Sequence, residues 1–424
     1  MVQSNDQQHI KPNRWQSFVS SRIRRLKSGI VILMMVSCGT ATAYAQRPEF
    51  VSSRYNPAVL HIRFTPAEGR TISNNADAFL DLTLIPSSGN IEGIRVELLA
   101  SSFRSQLFKL YQQLSRSESL RVEDSTSPSR QLYELIFGNL VDTLKREKIT
   151  TLLISADRGL QAVPFAALSD GQQFFGDRYA FAITPSLALM DFETFPGNQD
   201  RMLALGASEF KDLVDLPLVP QEIRGIGDSE KKDLFLDQEF TIDNLLNNGA
   251  NPGYSKLHIA THAEFKPGSP RLSLLHSGVG PISMAKLSQL RKVRKGVPFD
   301  LVVFSACRTA LGDEDAELGF SGLALQAGAR SAVGTLWYVD DVATSAYFIL
   351  MYRYLSQGVP KADAMQLTRR AFIRGELRLV EDQLLGPDQQ PLLSELTPAQ
   401  QRRVKVNLRN PFYWAGITLM GAPW

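Results

Sequence analysis

Asp300-Leu301-Val302-Val303-Phe304-Ser305-Ala306 is an unbroken, mostly apolar run that flows directly into Cys307-Arg308-Thr309-Ala310. A strand with one wet face alternates apolar and polar residues, whereas a short run that is apolar throughout has both faces covered. Runs of the same kind occupy 150–155, 202–205, 257–260, 332–336 and 416–420, and the first leads into Asp157-Arg158-Gly159, a turn. Between several of them the apolar residues recur at helical spacing, at 132–144, 220–227, 242–246, 284–290, 319–326, 344–355 and 361–372. Buried strands alternating with helices predict an α/β protein, a mostly parallel sheet with helices on both faces. The polar stretch 375–403 reads as a loop and helix inserted before the final strand.

Upstream, the period changes. Residues 58–64 and 78–85 alternate apolar and polar, and Pro86-Ser87-Ser88-Gly89-Asn90 is a turn cluster before a partner strand at 91–98. Helical spacing follows at 103–114, and 115–129 reads as a linker. The expected organisation is a signal peptide at 1–45, a β-hairpin and helix lead-in at 46–127, and the main domain at 128–424. No repeat of 20–50 residues is present, so a solenoid partner would be a separate chain.

In open α/β sheets reactive groups gather at the carboxyl ends of strands. Leu257-His258-Ile259-Ala260 runs into Thr261-His262-Ala263-Glu264-Phe265, and the strand quoted first runs into Cys307. A crossover between the two would set both ends side by side, with a histidine facing a thiol. A thiol attacks well only as thiolate, which a neighbouring imidazole favours, and the histidine then protonates the leaving amine. The tetrahedral oxyanion needs fixed donors, for which the backbone N–H groups of Ala263 and Cys307 are candidates. The plainer readings are a buried small hydrophobe for Cys307 and a structural histidine for His262. His258, inside its strand, reads as core-facing.

These two segments, 261–265 and 304–313, resemble the active-site segments of the CHAT domain family, caspase-like peptidase domains related to separase. The resemblance extends through Gly322-Leu323-Ala324-Leu325-Gln326-Ala327-Gly328-Ala329-Arg330 to Trp337, and through Asn410-Pro411-Phe412-Tyr413-Trp414-Ala415-Gly416-Ile417. Upstream, Asp157-Arg158-Gly159-Leu160-Gln161-Ala162-Val163-Pro164-Phe165 looks like the turn after the first strand of that domain. The likeness covers about 130–424, with the motifs in family order. It implies that His262 is the catalytic histidine and Cys307 the nucleophile. Family members often carry tetratricopeptide repeats, which this chain lacks, and the lead-in falls outside the likeness.

Two acidic clusters follow candidate strands, Asp313-Glu314-Asp315 and Asp340-Asp341. A carboxylate at a strand end pairs well with a basic P1 side chain, best with the bidentate guanidinium of arginine. Relatives in the same clan include arginine- and lysine-directed peptidases, so Asp313, Asp340 and Asp341 are candidate substrate-binding residues. The plainer readings are a helix cap for Asp340 or Asp341 and a solvated loop for Asp313.

The ends of the composition ledger lie in the leader. Residues 1–45 hold Lys11, Arg14, Arg22, Arg24, Arg25 and Lys27 against Asp6, then the apolar run 29–36, then Ala43-Tyr44-Ala45. This is the layout of a secretory signal peptide, with a run too short to span a bilayer comfortably. Met35-Val36-Ser37-Cys38 loosely resembles a lipoprotein box, and Arg24-Arg25 matches a twin-arginine signal poorly. Of 46 basic and 43 acidic residues in the chain, six and one lie in the leader, so its removal turns a net +3 into −2. No concentrated basic patch then remains, and nucleic acid is not an expected partner. Cys38 leaves with the leader or is lipidated, which makes Cys307 the one free thiol and excludes an internal disulfide.

The leading expectation is an exported bacterial cysteine endopeptidase acting on protein or peptide substrates, periplasmic, envelope-associated or extracellular, with no cofactor and no metal. A catalytically silent binding or scaffolding module of the same fold is the alternative. A serine hydrolase is poorly supported, since Gly319-Phe320-Ser321-Gly322 lacks the full elbow. His258 and His262 lack the H-E-x-x-H context of a metal hydrolase.

Overall fold

The computed structural model of the chain describes residues 52–67, 76–157, 159–184, 186–187, 190, 201–227, 229–264, 273–306, 319–326, 328–337 and 340–424. Residues 1–45 with Cys38, read above as a leader, and both Cys307 and Asp313, lie outside the described residues.

Strands β1 (Pro57–Pro66), β2 (Ala78–Pro86) and β3 (Glu92–Leu98) come first, followed by helix α1 (Ala100–Ser115). Helices α2 (Pro128–Phe137) and α3 (Val141–Arg146) lead into β4 (Thr151–Ala156), and the short α4 (Phe175–Arg178) precedes β5 (Ala180–Thr184). Next come β6 (Arg201–Gly206), α5 (Val219–Gly225), β7 (Lys232–Leu236), α6 (Ile242–Gly249) and β8 (Tyr254–Ala260). A small sheet of β9 (Ala263–Glu264), β10 (Leu274–Ser277) and β11 (Gly280–Ser283), then α7 (Met284–Leu287) and α8 (Gln289–Val293), connects to β12 (Leu301–Ser305). The chain continues through α9 (Gly319–Gln326), β13 (Ser331–Thr335), α10 (Asp341–Ser356) and α11 (Lys361–Arg374). A second small sheet, β14 (Arg378–Val380), β15 (Gln383–Leu385) and β16 (Pro391–Leu393), is followed by α12 (Pro398–Asn407) and β17 (Ile417–Gly421).

The main sheet has the order β3-β2-β1-β4-β5-β17-β13-β12-β8-β6-β7. Neighbours β3/β2, β2/β1 and β13/β17 are antiparallel, and β17 meets β5 at Met420 opposite Ile183. The runs β1-β4-β5 and β13-β12-β8-β6-β7 are parallel. Ala162, beyond β4, accepts a hydrogen bond from the Tyr111 hydroxyl, and the Tyr111 ring meets Trp337, beyond β13, edge-on at 6.1 Å.

Alternation along the central strands explains the two covered faces. Leu203, Leu257, Ile259, Val302 and Phe304 pack into one cluster with Phe240 and Leu245. Their strand neighbours Met202, Ala204, Leu301 and Val303 belong to the other, larger cluster with Phe348 and Ile349 of α10. Fully burying one such side chain is worth about 1.5–3 kcal/mol. No polar face is left on these strands, which is why they read as unbroken apolar runs. Among the described residues no helix is long and apolar enough to cross a membrane.

Helix starts follow their caps. Ser127 accepts from the Arg130 N–H with Pro128 at the first position of α2, and Thr397 and Gln400 form a reciprocal capping box on α12. Helix α11 ends on Gly375 at φ +67°, a left-handed position that suits glycine.

Several expectations need refinement. The helix read at 132–144 is broken into α2 and α3 by a turn at Gly138–Leu140, and that at 284–290 into α7 and α8. The insertion at 375–403 carries a three-stranded sheet besides its helix. The connection from β8 to β12 is a small antiparallel sheet and two short helices. The lead-in strands join the main sheet, because β1 lies parallel to β4 from Pro57 opposite Thr151 to Ile62 opposite Ala156.

Asp363, near the start of α11, is buried against the Thr151 hydroxyl, and burial pushes its carboxyl up to about 7 despite Thr151 and Arg369 nearby. A raised carboxyl keeps its proton in the folded chain where the unfolded chain has lost it. Folding stability then falls as pH rises from about 4 to about 7. The separation of about three pH units corresponds to about 4 kcal/mol. Asp363→Asn should therefore match wild type near pH 4 and exceed it in urea midpoint at pH 8. An equal midpoint difference at the two pH values would contradict this.

Candidate active site

The carboxyl ends of β8 and β12 are neighbours, with Ala260 opposite Ser305. One residue further on, the Thr261 N–H donates to the Ser305 carbonyl at 3.2 Å. On the other side of β8 the Ala207 N–H donates to the Ala260 carbonyl at 3.0 Å. The His262 carbonyl accepts from the His276 N–H at 3.0 Å, and the Thr261 hydroxyl donates to the His276 carbonyl. The backbone carrying His262 is thus tied to β12, β6 and β10 at once.

The imidazole is oriented just as firmly. His262 Nε2 lies 2.6 Å from the carbonyl oxygen of Val214, and its ring meets Phe210 at 4.8 Å. A carbonyl oxygen only accepts, so Nε2 carries the proton and Nδ1 holds the free lone pair in the neutral ring. The loop providing Val214 is braced by its own bonds, Leu216 N–H to Ser208 carbonyl at 2.9 Å and Phe210 N–H to Asp215 Oδ1 at 3.0 Å. On the β12 side the Thr335 hydroxyl donates to the Ala306 carbonyl at 2.8 Å. Ser305 and Ala306 are both buried.

Val214, Thr261, His262, Ser305 and Ala306 line a cleft of about 430 Å³, together with Glu222, Asp340, Asp341 and Arg403. Asp340 is the N-cap of α10: its Oδ1 accepts from Val342 N–H at 3.0 Å and Ala343 N–H at 3.1 Å. Burial raises its carboxyl above the ordinary range. Arg403 Nη1 stands 3.4 Å from Asp340 Oδ2 and 2.5 Å from Asp341 Oδ1. Deeper in, Glu222 of α5 is almost fully buried, with Oε1 2.9 Å from His258 Nε2 and Oε2 accepting from the Ser345 hydroxyl at 2.7 Å. His258 is core-facing as expected, with its ring edge-on to Phe348 of α10 at 5.6 Å.

Of the residues singled out in the sequence, His262, Asp340 and Asp341 come together on this cleft. Ala263 is half-buried in β9, in register with Leu275. Cys307 and Asp313 lie outside the described residues. Sequence reasoning missed the Val214 carbonyl, Glu222 and Arg403. A backbone acceptor leaves no trace in residue identity, and nothing at Glu222 or Arg403 announces a partner so far along the chain.

The family profile described as the CHAT domain matches residues 126–422. No curated protein matches the chain. Among solved structures, a chain of the Saccharomyces cerevisiae separase–securin complex superposes with a TM-score of 0.52 at 10% identity, covering 88% of this chain and 30% of that one. This chain thus spans less than a third of the length of that neighbour. The Arg-specific cysteine proteinase gingipain R is similar at a TM-score of 0.40 and 12% identity, covering 76% of each chain.

Proposed function

The chain belongs to the CHAT domain family, and from that premise we propose that it is a caspase-like cysteine endopeptidase with Cys307 as nucleophile and His262 as acid and base. One observation supports this most. Strands β8 and β12 end side by side, His262 stands just beyond one end, and in the sequence Cys307 is the next residue after Ala306 at the other.

The thiol of Cys307 passes its proton to His262 Nδ1, and the thiolate sulfur adds to the scissile carbonyl carbon. The backbone N–H groups of Ala263 and Cys307 hold the resulting oxyanion. The C–N bond then breaks, and the amine leaves with the proton from His262. Water attacks the thioester, giving its proton to His262. The C–S bond breaks, the acid product departs, and His262 returns its proton to the Cys307 sulfur. The Val214 carbonyl keeps the proton of Nε2 in place throughout, so Nδ1 is the nitrogen that shuttles.

Asp340 and Asp341, with Asp313 as a third candidate, would receive a basic P1 side chain. The cleft holds Asp215, Glu222, Asp340 and Asp341 against the single described cation Arg403, a balance that favours a positive guest. Substrates are proteins or peptides. Export, with cleavage near Ala45 or lipidation at Cys38, rests on the composition of the leader. The test is a fluorogenic peptide panel with Arg, Lys, Asp or Leu at P1. The Arg peptide should exceed the Leu peptide in kcat/KM by about 10–100-fold, the effect of one or two hydrogen bonds between charged groups. Cleavage of none of the four would overturn the reading.

A further inference from the structure

Arg403 reaches the cleft from α12, inside the insertion between α11 and β17. That insertion is fastened to the walls of the cleft. Gln221 of α5 donates through Nε2 to the Ser394 carbonyl at 2.8 Å and accepts from the Ser394 N–H at 3.0 Å. Arg353 of α10 lies 3.2 Å from both oxygens of Asp388. The helix carrying Arg403 is therefore held over the same two elements, α5 and α10, that supply Glu222 and Asp341.

The guanidinium bridges both carboxylates at the mouth of the cleft, yet its side chain is half exposed. Water reaches the guanidinium and compensates for part of what it loses on leaving, whereas the two carboxylates are largely buried and need a cation in its place. We propose that Arg403 is an internal occupant of the subsite for a basic side chain, one that a substrate must displace. This rests on the peptidase reading above and adds to it a competitor built into the chain. Displacement favours a guest with the same planar fork: an arginine replaces both contacts, whereas a lysine ammonium replaces them as a point charge. The self-occupied subsite lowers the apparent affinity of every basic guest by one common factor, and each tenfold corresponds to about 1.4 kcal/mol.

The test uses benzamidinium as an amidinium probe on the full chain carrying Cys307→Ala, so that its readout does not depend on turnover. Removing the occupant by Arg403→Gln or Arg403→Ala should tighten benzamidinium binding about tenfold by calorimetry, and adding Asp341→Asn should abolish that gain. In the catalytically intact chain, Arg403→Gln should lower KM for the Arg and Lys peptides alike by about tenfold, leaving their ratio unchanged. Tighter benzamidinium binding without cleavage of any peptide would sink the peptidase reading and leave the occupant standing. Unchanged or weaker benzamidinium binding in both folded Arg403 variants would overturn the occupant.

Discussion

Cys307→Ala and His262→Ala should each lower peptide cleavage by about 10⁴-fold or more, since nucleophile and base act as one unit whose loss at either end is nearly complete. The histidine is held on several sides among the described residues. Its Nε2 is committed to the Val214 carbonyl, and the bonds at Thr261 and at its own carbonyl tie the backbone on either side. An imidazole held this way loses little freedom when the reaction begins, which is the entropic advantage of a positioned base. His262→Ala should also move the pH profile for alkylation of Cys307 towards the free-thiol value of about 8.5. A folding defect would not produce that movement with the urea midpoint intact. Turnover persisting in Cys307→Ala would end the assignment of the nucleophile, whatever the profile shows.

Glu222→Ala should destabilise the fold by about 2–6 kcal/mol, because it strands two buried polar groups at about 1–3 kcal/mol each. His258 Nε2 and the Ser345 hydroxyl both depend on that carboxylate, and His258 has no exposed surface through which water could compensate. Its other nitrogen, Nδ1, has no hydrogen-bond partner among the described residues, so the ring has nothing to fall back on. Glu222→Gln keeps an acceptor and a donor in nearly the same volume and should lose clearly less than the alanine variant. The comparison is made by urea denaturation at pH 7. A loss below about 1 kcal/mol for Glu222→Ala, against the range given for an orphaned buried group, would show that the carboxylate does not hold the strand and the two helices together.

The sequence exposes the centre of this protein and hides its periphery, for a physical reason. Leu301–Ser305 and Leu257–Ala260 are covered on both faces, so selection for burial writes itself into most residues of each run. Strand β7, Lys232–Leu236, is an edge strand with half-buried charges and carries no such record. The strands of the insertion are three residues long, too short for any period to show. In the cleft, Asp340 was legible because a cap is a local device, read from the helix that follows it. Glu222 and His258 are 36 residues apart, and Arg403 and Asp341 are 62 apart. Pairings of that kind are decided by the packing of α5, α10 and α12, which no local pattern encodes.

The parallel ladder between β1 and β4 has a bearing on where this protein begins as a physical object. The family match starts at residue 126, whereas β4 is already paired at Thr151 through Ala156 with a strand that ends at Pro66. Cut away at 126, β4 would present a bare row of N–H and C=O groups flanked by Leu152, Leu153 and Ile154, all of them buried in the intact sheet. Such an edge is a template for pairing with other copies. The hairpin of β2 and β3 carries the sheet outward to a strand whose residues are largely half-exposed or exposed, including Glu92, Arg95 and Glu97. The lead-in thus acts as a selvedge, finishing the woven margin of a sheet that the family definition leaves raw.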